Sequence, residues 1–366
     1  MRNTLICTVG TSLLNNLKYC DDAAIQEAFK AQNWKQLSLL LLERKNTDRL
    51  CGAEINSIAS ICDKGFLADR NRLIFLVSDT DDGRAMGNLL KLYFDYTRNP
   101  LNFQQVEYRV LTGLRDDSVQ DFRQKGLKNL VKEISTEVRT FSPEAIAINA
   151  TGGYKAQISF AGMIGQALGI PVYYLFEKFS EVIELPPQPI ALDLAFWLNN
   201  YLLFEYLETE QTAGVSQLEF PIDDPYLSSL VDREDDLISL SAMGVLFNER
   251  SRLQFAKQQT TILEIIPQDD TKPDAKNISL RDDHGKDVLM AFSQKVRRSP
   301  YVKSIVNSLP FNPKQKTPIR RTYPKGIVEF VLTWTDAGYG ICIQTTGRNL
   351  AETNTIAIHL QQEFSQ

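Results

Sequence analysis

Short, continuously apolar runs rich in β-branched and aromatic residues recur through the first half of the chain. They are "TLICTVG" (4–10), "RLIFLVSDT" (72–80), "VEYRVLTGL" (106–114), "EAIAINATGG" (144–153) and "PVYYLFE" (171–177). Runs that do not alternate with polar residues fit strands covered on both faces. Between them lie segments with helical periodicity, such as "DSVQDFRQKGLKNLVKEIS" (117–135). Strand–helix alternation predicts an α/β fold with a Rossmann-like, doubly wound parallel sheet. "FSEVI" (179–183) predicts a sixth, antiparallel strand, and "ELPPQPI" (184–190) ends the unit.

The pattern then changes. Residues 191–250 read as helices, with apolar positions at helical spacing in "ALDLAFWLNNYLLFEYLETEQ" and "REDDLISLSAMGVLFNERSR". The polar stretch "PQDDTKPDAKNISLRDD" (267–283), broken by two prolines, reads as a linker. Beyond it the pattern predicts a helix ("KDVLMAFSQKVRRS"), a second helix ("YVKSIVNSL") and a Pro- and Lys-rich loop. Three strands follow: "GIVEFVLTW", "GYGICIQTT" and "TIAIHLQQEF", with "TDAG" as the hairpin turn between the first two. The expected organisation is an α/β domain at 1–188, a helical connecting region at 189–266, a linker at 267–283 and a small α+β domain at 284–366.

A length of 366 residues suits two domains, and 43% hydrophobic with 23% charged residues is ordinary for a globular chain. No apolar run approaches the ~20 residues that a membrane span needs, and the N-terminus lacks the features of a signal peptide. Five scattered cysteines without a CxxC pair fit a reducing cytoplasm and speak against a disulfide framework or zinc site. With only two histidines, His284 and His359, no metal site and no cofactor are expected. The net charge of −5 hides a polarity: residues 285–325 carry ten Lys or Arg and one acid, Asp287. A basic block on an acidic chain suits a local polyanion partner, and equally a solvated helix and loop.

Three strands end in small, hydrogen-bonding residues, where open α/β sheets bind ligands. The first supplies Gly10, Thr11, Ser12 and Asn15, with Asn16 after them, and the second Ser78, Asp79 and Thr80, with Gly83 after them. The fourth supplies Thr151, Gly152, Gly153, Tyr154, Lys155 and Gln157. Glycines admit close approach to the main chain, helix-start amides attract anions, and Lys155 adds a charge. One such turn would be only a strand-to-helix connection; three on one edge point to a site. Neither a Walker A pattern nor a GxGxxG follows a strand, which speaks against an ordinary ATP or dinucleotide site.

"TVGTSLLNN", "SDT" with "GRAMGNLLKLYF", and "ATGGYKAQISFAGMIG" with "YYLFEKFSEVIELPP" together resemble a CARF domain, the sensor module of CRISPR-associated ancillary proteins. The resemblance covers roughly the first half of the chain. It implies a homodimer whose sensor domains jointly bind a cyclic oligoadenylate, most often cyclic tetra-adenylate. A two-fold ring matches an isologous two-fold interface. By this resemblance Gly10, Thr11 and Ser12 contact the ring, and Thr151, Gly152, Gly153 and Lys155 its phosphates.

CARF proteins usually carry an effector. Neither histidine follows an arginine at the spacing a HEPN ribonuclease needs, and the C-terminal strands lack the (D/E)xK signature of restriction-like nucleases. A winged helix fits the three late strands poorly. Two helices, a basic loop and a short antiparallel sheet resemble the small, metal-free RelE-type messenger RNA interferases over about the last 85 residues. That implies cleavage of mRNA on the ribosome, with Lys316, Arg320, Arg321, Tyr323, Lys325 and Arg348 as catalytic candidates. Glu329 and Val331 stand where many members of that family place lysines. Arg348 could instead cap a turn, Lys314 and Lys316 could solvate a loop, and His359 is expected to pack within the last strand. The helical middle, with Phe196, Trp197, Leu202, Leu203 and Phe204, is expected to pack against the sensor dimer; the alternative is a face that docks a ribosomal protein. Competing functions are a DNA-binding transcriptional regulator, a ring nuclease that degrades the cyclic ligand, and a plain nucleotide-binding enzyme.

Overall fold

The five apolar runs are strands β1 (Thr4–Thr8), β2 (Arg72–Ser78), β3 (Gln105–Leu111), β4 (Ile146–Asn149) and β5 (Val172–Tyr174), with β6 (Ile183–Leu185) after them. They form one sheet in the order β3-β2-β1-β4-β5-β6. All neighbours are parallel except β5 and β6, which are antiparallel. The chain winds from β1 outward to β2 and β3, then returns to β4 and β5 on the other side. The order therefore reverses between β1 and β4, where such sheets open a crevice. A computed structural model supplies these coordinates; it describes residues 2–176, 181–188, 192–215, 218, 224–282, 285–309, 318–334 and 337–364.

Every residue of β1 and β4 is buried, as the continuous apolar runs require. Between β1 and β2 the chain inserts helices Ser12–Lys18, Ala23–Lys30, Trp34–Leu42 and Gly52–Asp63. Asp22 starts the second by accepting from the Ala24 and Ile25 amides. Leu13, Leu17, Ile25, Leu37, Ile55 and Ile58 turn inward from these helices and join Phe75 and Phe94 in one core. No helix among the described residues is long and apolar enough to cross a membrane.

The chain folds into two units, and neither is a single continuous stretch of sequence. The first is 1–191 with 225–232 and 241–249; the second is 192–224 with 233–240 and 250–366. The second unit therefore claims most of the expected connecting region. There, helices Leu194–Asn199 and Tyr201–Glu210 form as the apolar spacing predicts. "REDDLISL" is not helical: β8 (Val231–Glu234) and β9 (Leu237–Leu240) precede a helix that begins only at Ala242, and β9 pairs with β7 (Ala213–Gly214).

The C-terminal part holds helix Lys286–Val296, then β10 (Val302–Leu309), β11 (Ile319–Tyr323), β12 (Ile327–Trp334) and β13 (Ala337–Thr345), then helix Leu350–Phe364. The four strands are antiparallel in the order β10-β13-β12-β11. Two expectations fail here. "YVKSIVNSL" is strand β10 rather than a helix, and "TIAIHLQQEF" belongs to a helix rather than a strand. In β10, register shifts between Val302 and Ser304 and between Ile305 and Asn307 carry Val302, Ile305 and Ser308 all to the buried side, imitating helical spacing. The final helix buries Thr353 through Ile358 and Leu360, so no polar stripe betrays its period. Residues 267–282 are no free linker either. Asn277 O accepts from Ile305 N, Ile305 O from Ser279 N, and the buried Lys276 ammonium donates to Ser299 O at 3.0 Å. The "TDAG" turn falls partly outside the described residues.

Gly165 shows how closely the first unit is packed. A Cβ there would strike Val172 Cγ2 on β5, whereas Gly162, on the same helix, has open space around it. Gly165→Ala is expected to cost about 1–3 kcal/mol in thermal or urea unfolding. Gly162→Ala should be neutral or slightly stabilising in the same measurement.

Candidate functional site

At the switch point the ends of β1 and β4 touch main chain to main chain. A Cβ on Gly10 would lie 2.9 Å from Gly153 N, and one on Gly152 would collide with Glu54 Oε1 and lie 2.8 Å from Gly10 N. Gly153 has φ +114°, which suits glycine alone. The Thr8 hydroxyl donates to Gly152 O at 2.5 Å. Thr151 Oγ1 donates to Asn149 Oδ1 and accepts from Leu175 N, tying β4 to the end of β5. Asn149 in turn donates to Ser57 on helix Gly52–Asp63.

Glu54 joins this junction from outside every strand-end motif. It is 1% exposed, its Oε1 accepts from Gly10 N at 2.9 Å, and its Oε2 has no hydrogen-bond partner among the described residues. Burial pushes its carboxyl above the usual range, with the Gly10 amide opposing. Its helical position was a usable signal: Glu54 shares the stripe of Ile58 and Ile61, an acid where the pattern calls for an apolar residue.

The thirteen expected ligand residues do not share one role. Gly10, Thr11, Ser12, Asn15, Gly153 and Lys155 lie at the crevice with solvent access, and Lys155 is exposed at the start of helix Lys155–Leu168. Gly152 is buried, its Cα turned to Glu54 rather than to solvent. Gln157 is fully buried; it donates to Leu76 O and accepts from Tyr154 N, so its amide serves the fold. Thr80 caps helix Asp81–Asp95 through the Gly83 amide and bonds Ser78 at 2.9 Å. Asp79 pairs with Arg84 at 2.5 Å and accepts from Gly113 N. Tyr154 stands edge-on to Phe122, ring centroids 5.4 Å apart, and burial with Asp116 nearby pushes its phenol up. Beside the crevice lies a cavity of about 840 Å³, lined by Ser12, Asn16, Arg49, Asn56 and Phe176 among others. Of these only Ser12 is among the expected ligand residues.

In the second unit, three of the six expected catalytic residues, Arg320, Arg321 and Tyr323, gather on the face of the sheet opposite its helices. The register sets Arg321 beside Glu329 and Glu329 beside Cys342, with Tyr323 beside Ile327. Thr322 points the other way, to Asn354 on the last helix. The Tyr323 hydroxyl donates to Glu329 Oε1 at 3.0 Å, and Arg320 Nε lies 3.6 Å from Glu329 Oε2. Lys325 follows β11 at the same end, its carbonyl accepting from Gln344. Arg348 instead pairs with Glu352 of the last helix at 2.7 Å, which holds that carboxyl below its usual range. Lys314 and Lys316 lie outside the described residues, as does His284. His359 sits on the last helix, edge-on to Tyr301, not on a strand. Trp197 and Phe204 are buried at 1% and 0% exposure, and Trp197 packs on Tyr201 and Phe255 of the same unit. They belong to that core and are not a docking face.

Residues 49–188 match the family model described as CRISPR-associated protein (Cas_APE2256). That span runs from the last inserted helix through β6 and includes the β4 turn. Among solved structures, the chain is similar at 11% identity to Can2 from Sulfobacillus thermosulfidooxidans in complex with cyclic tetra-adenylate. The match covers 83% of this chain and 88% of that one at a TM-score of 0.25. Enterococcus italicus Csm6 bound to cyclic hexa-2′-fluoro-hexa-dAMP matches at 10% identity over 72% of this chain and 58% of that one, TM-score 0.27. Protein VC1899 from Vibrio cholerae matches at 9% identity over 94% and 77%, TM-score 0.23. Scores of this size fall below those of a common fold over whole chains.

Gly152→Ala forces a methyl group into the Glu54 carboxyl, so the protein should lose several degrees of thermal midpoint. Glu54→Ala should restore part of that loss in the double variant, as read by additivity of the unfolding free energies.

Proposed function

We propose that the chain is a signal-gated ribonuclease of CRISPR defence: a cyclic oligoadenylate binds the first unit, and the second then cuts messenger RNA. The observation that carries the reading is the glycine-lined crevice between β1 and β4, with Lys155 exposed at its edge. The match of residues 49–188 to CRISPR-associated proteins supports it, as do the CARF-like motifs that overlap that span.

The ligand is a ring of phosphodiesters, and cyclic tetra-adenylate is the form proposed. Gly153 and the start of helix Lys155–Leu168 offer main-chain donors, Lys155 a cation, and Thr11, Ser12 and Asn15 directional contacts. A homodimer would present two such half-sites to a two-fold ring. For the ligand to switch the protein on, it must bind the active conformation more tightly than the resting one.

The output reading rests on residue chemistry rather than on element order, since the C-terminal part from Lys286 has one helix, four strands and a final helix where two helices and three strands were expected. Metal-free RNA cleavage needs the 2′-hydroxyl deprotonated, the charge on the phosphorus-bound oxygens held, and the 5′-oxygen protonated. Arg320 and Arg321 are suited to holding the phosphate, and Tyr323 and Lys325 to moving protons. Arg348, paired with Glu352, is suited to shaping the end of the sheet. Messenger RNA on the ribosome is the substrate proposed; with Trp197 and Phe204 buried, any contact with a ribosomal protein would use other residues.

Lys155→Ala is expected to weaken cyclic tetra-adenylate binding about tenfold or more in calorimetry, without moving the thermal midpoint. Arg320→Ala with Arg321→Ala should slow message cleavage at least about a hundredfold in an in vitro translation reaction, with ring binding unchanged. Cleavage that is indifferent to the ring, or a wild type that retards duplex DNA and leaves RNA whole, would defeat the reading.

A further inference from the structure

We propose that Glu54 is the positioning residue of the ligand crevice: its carboxyl group holds the end of β1 against the β4 turn and sets the charge beneath the site where an anionic nucleotide lands. The inference rests on the proposed reading of the crevice as a cyclic oligoadenylate site, and adds a residue outside the strand-end motifs.

Glu54 comes from the inserted helix Gly52–Asp63, yet its carboxyl lies under both strand ends. Oε1 takes the Gly10 amide at 2.9 Å and fills the space a side chain at Gly152 would need. Gly152 is thus required on account of this one carboxyl as much as of any ligand, whereas Gly10 is required by the Gly153 amide, 2.9 Å from where its Cβ would lie. The buried Oε2 is left without a partner, and among the described residues no lysine, arginine or histidine pairs with Glu54. A buried carboxylate without a cation is costly and is not kept for stability. Its use here is mechanical: it draws the Gly10 amide away from solvent and fixes the spacing of Gly10 from Gly152 and Gly153.

The same carboxyl imposes a charge rule on the site. The titratable group facing it from β1 is the Cys7 thiol, itself pushed well up by burial. The β4 turn presents Gly152, which has none, and on its own helix the neighbouring Ser57 carries none. Burial raises the Glu54 carboxyl, so the neutral acid persists to higher pH than in a free side chain. Below its folded-state pKa the acid puts no charge under the phosphates; above it, a carboxylate repels them. Ring affinity therefore declines as pH rises through that value. By the same linkage, fold stability gained from the neutral form is lost over the same rise.

The test compares wild type, Glu54→Gln and Glu54→Ala in the full chain, titrated with cyclic tetra-adenylate from pH 5 to 9, with thermal midpoints recorded alongside. Gln keeps an acceptor for Gly10 and carries no charge, so it should bind like the wild type at low pH and stay flat as pH rises. Ala removes the acceptor and should bind about tenfold more weakly at every pH. The proposal is overturned if Ala binds as wild type does, if Gln loses as much as Ala while its thermal midpoint is intact, or if wild type and Gln share one pH profile. A wild type that takes no ring at all overturns the ligand reading together with this inference, whereas a wild type that binds with an indifferent Glu54 overturns this inference alone.

Discussion

The contact between Gly10 and the Gly152–Gly153 turn is the constraint on which the first unit's site depends. Two strand ends meet there with no side chain between them, at the place where the strand order reverses. The hydroxyls of Thr8 and Thr151, the amide of Asn149 and the carboxyl of Glu54 all point to this junction from behind. What remains on the solvent side is main chain, small polar groups and a lysine. That division of labour separates residues that build the crevice from those that face solvent. Expected ligand residues such as Gln157 and Thr80 fall on the building side.

The second unit carries the opposite kind of surface. Its sheet buries Val328, Phe330, Ile341 and Ile343 under two helices, and leaves Arg321, Glu329, Cys342 and Tyr323 on the other face. Arginine, tyrosine and glutamate in contact on this face form a polar patch whose protons and charges are linked, with Glu329 largely buried in it. A phosphate arriving there would compete with Glu329 for Arg320 and Tyr323. Glu329 is therefore the present partner of both.

Most of the first unit was legible because parallel strands covered on both faces leave an unambiguous trace: β1, β2, β4 and β5 read as unbroken apolar runs. Failures came where one feature imitates another. The register shifts in β10 place Val302 and Ile305 three apart on one side, which is what a helix would do. In the last helix, Ile356, Ile358 and Leu360 alternate with the buried Ala357 and the half-buried His359 rather than with exposed residues, so period two appeared where period 3.6 was present. Asn349, whose side chain accepts from Glu352 N, was a start signal that the alternation concealed. At the crevice, glycine and threonine identities announced the place but not the orientation of each group. Glu54 was missed because it is 44 residues from Gly10, and spacing within a motif cannot reveal such a pairing.

The threading of the chain has a practical corollary for anyone dissecting it. Residues 225–232 and 241–249 return to the unit built by 1–191, after 192–224 have joined the other. Recombinant expression of the leading half alone, cut where the sheet ends, would omit two pieces that belong to it. Bare surface would be left in their place, so misbehaviour of such a fragment in solution would speak of its missing patches rather than of any dependence on the second unit.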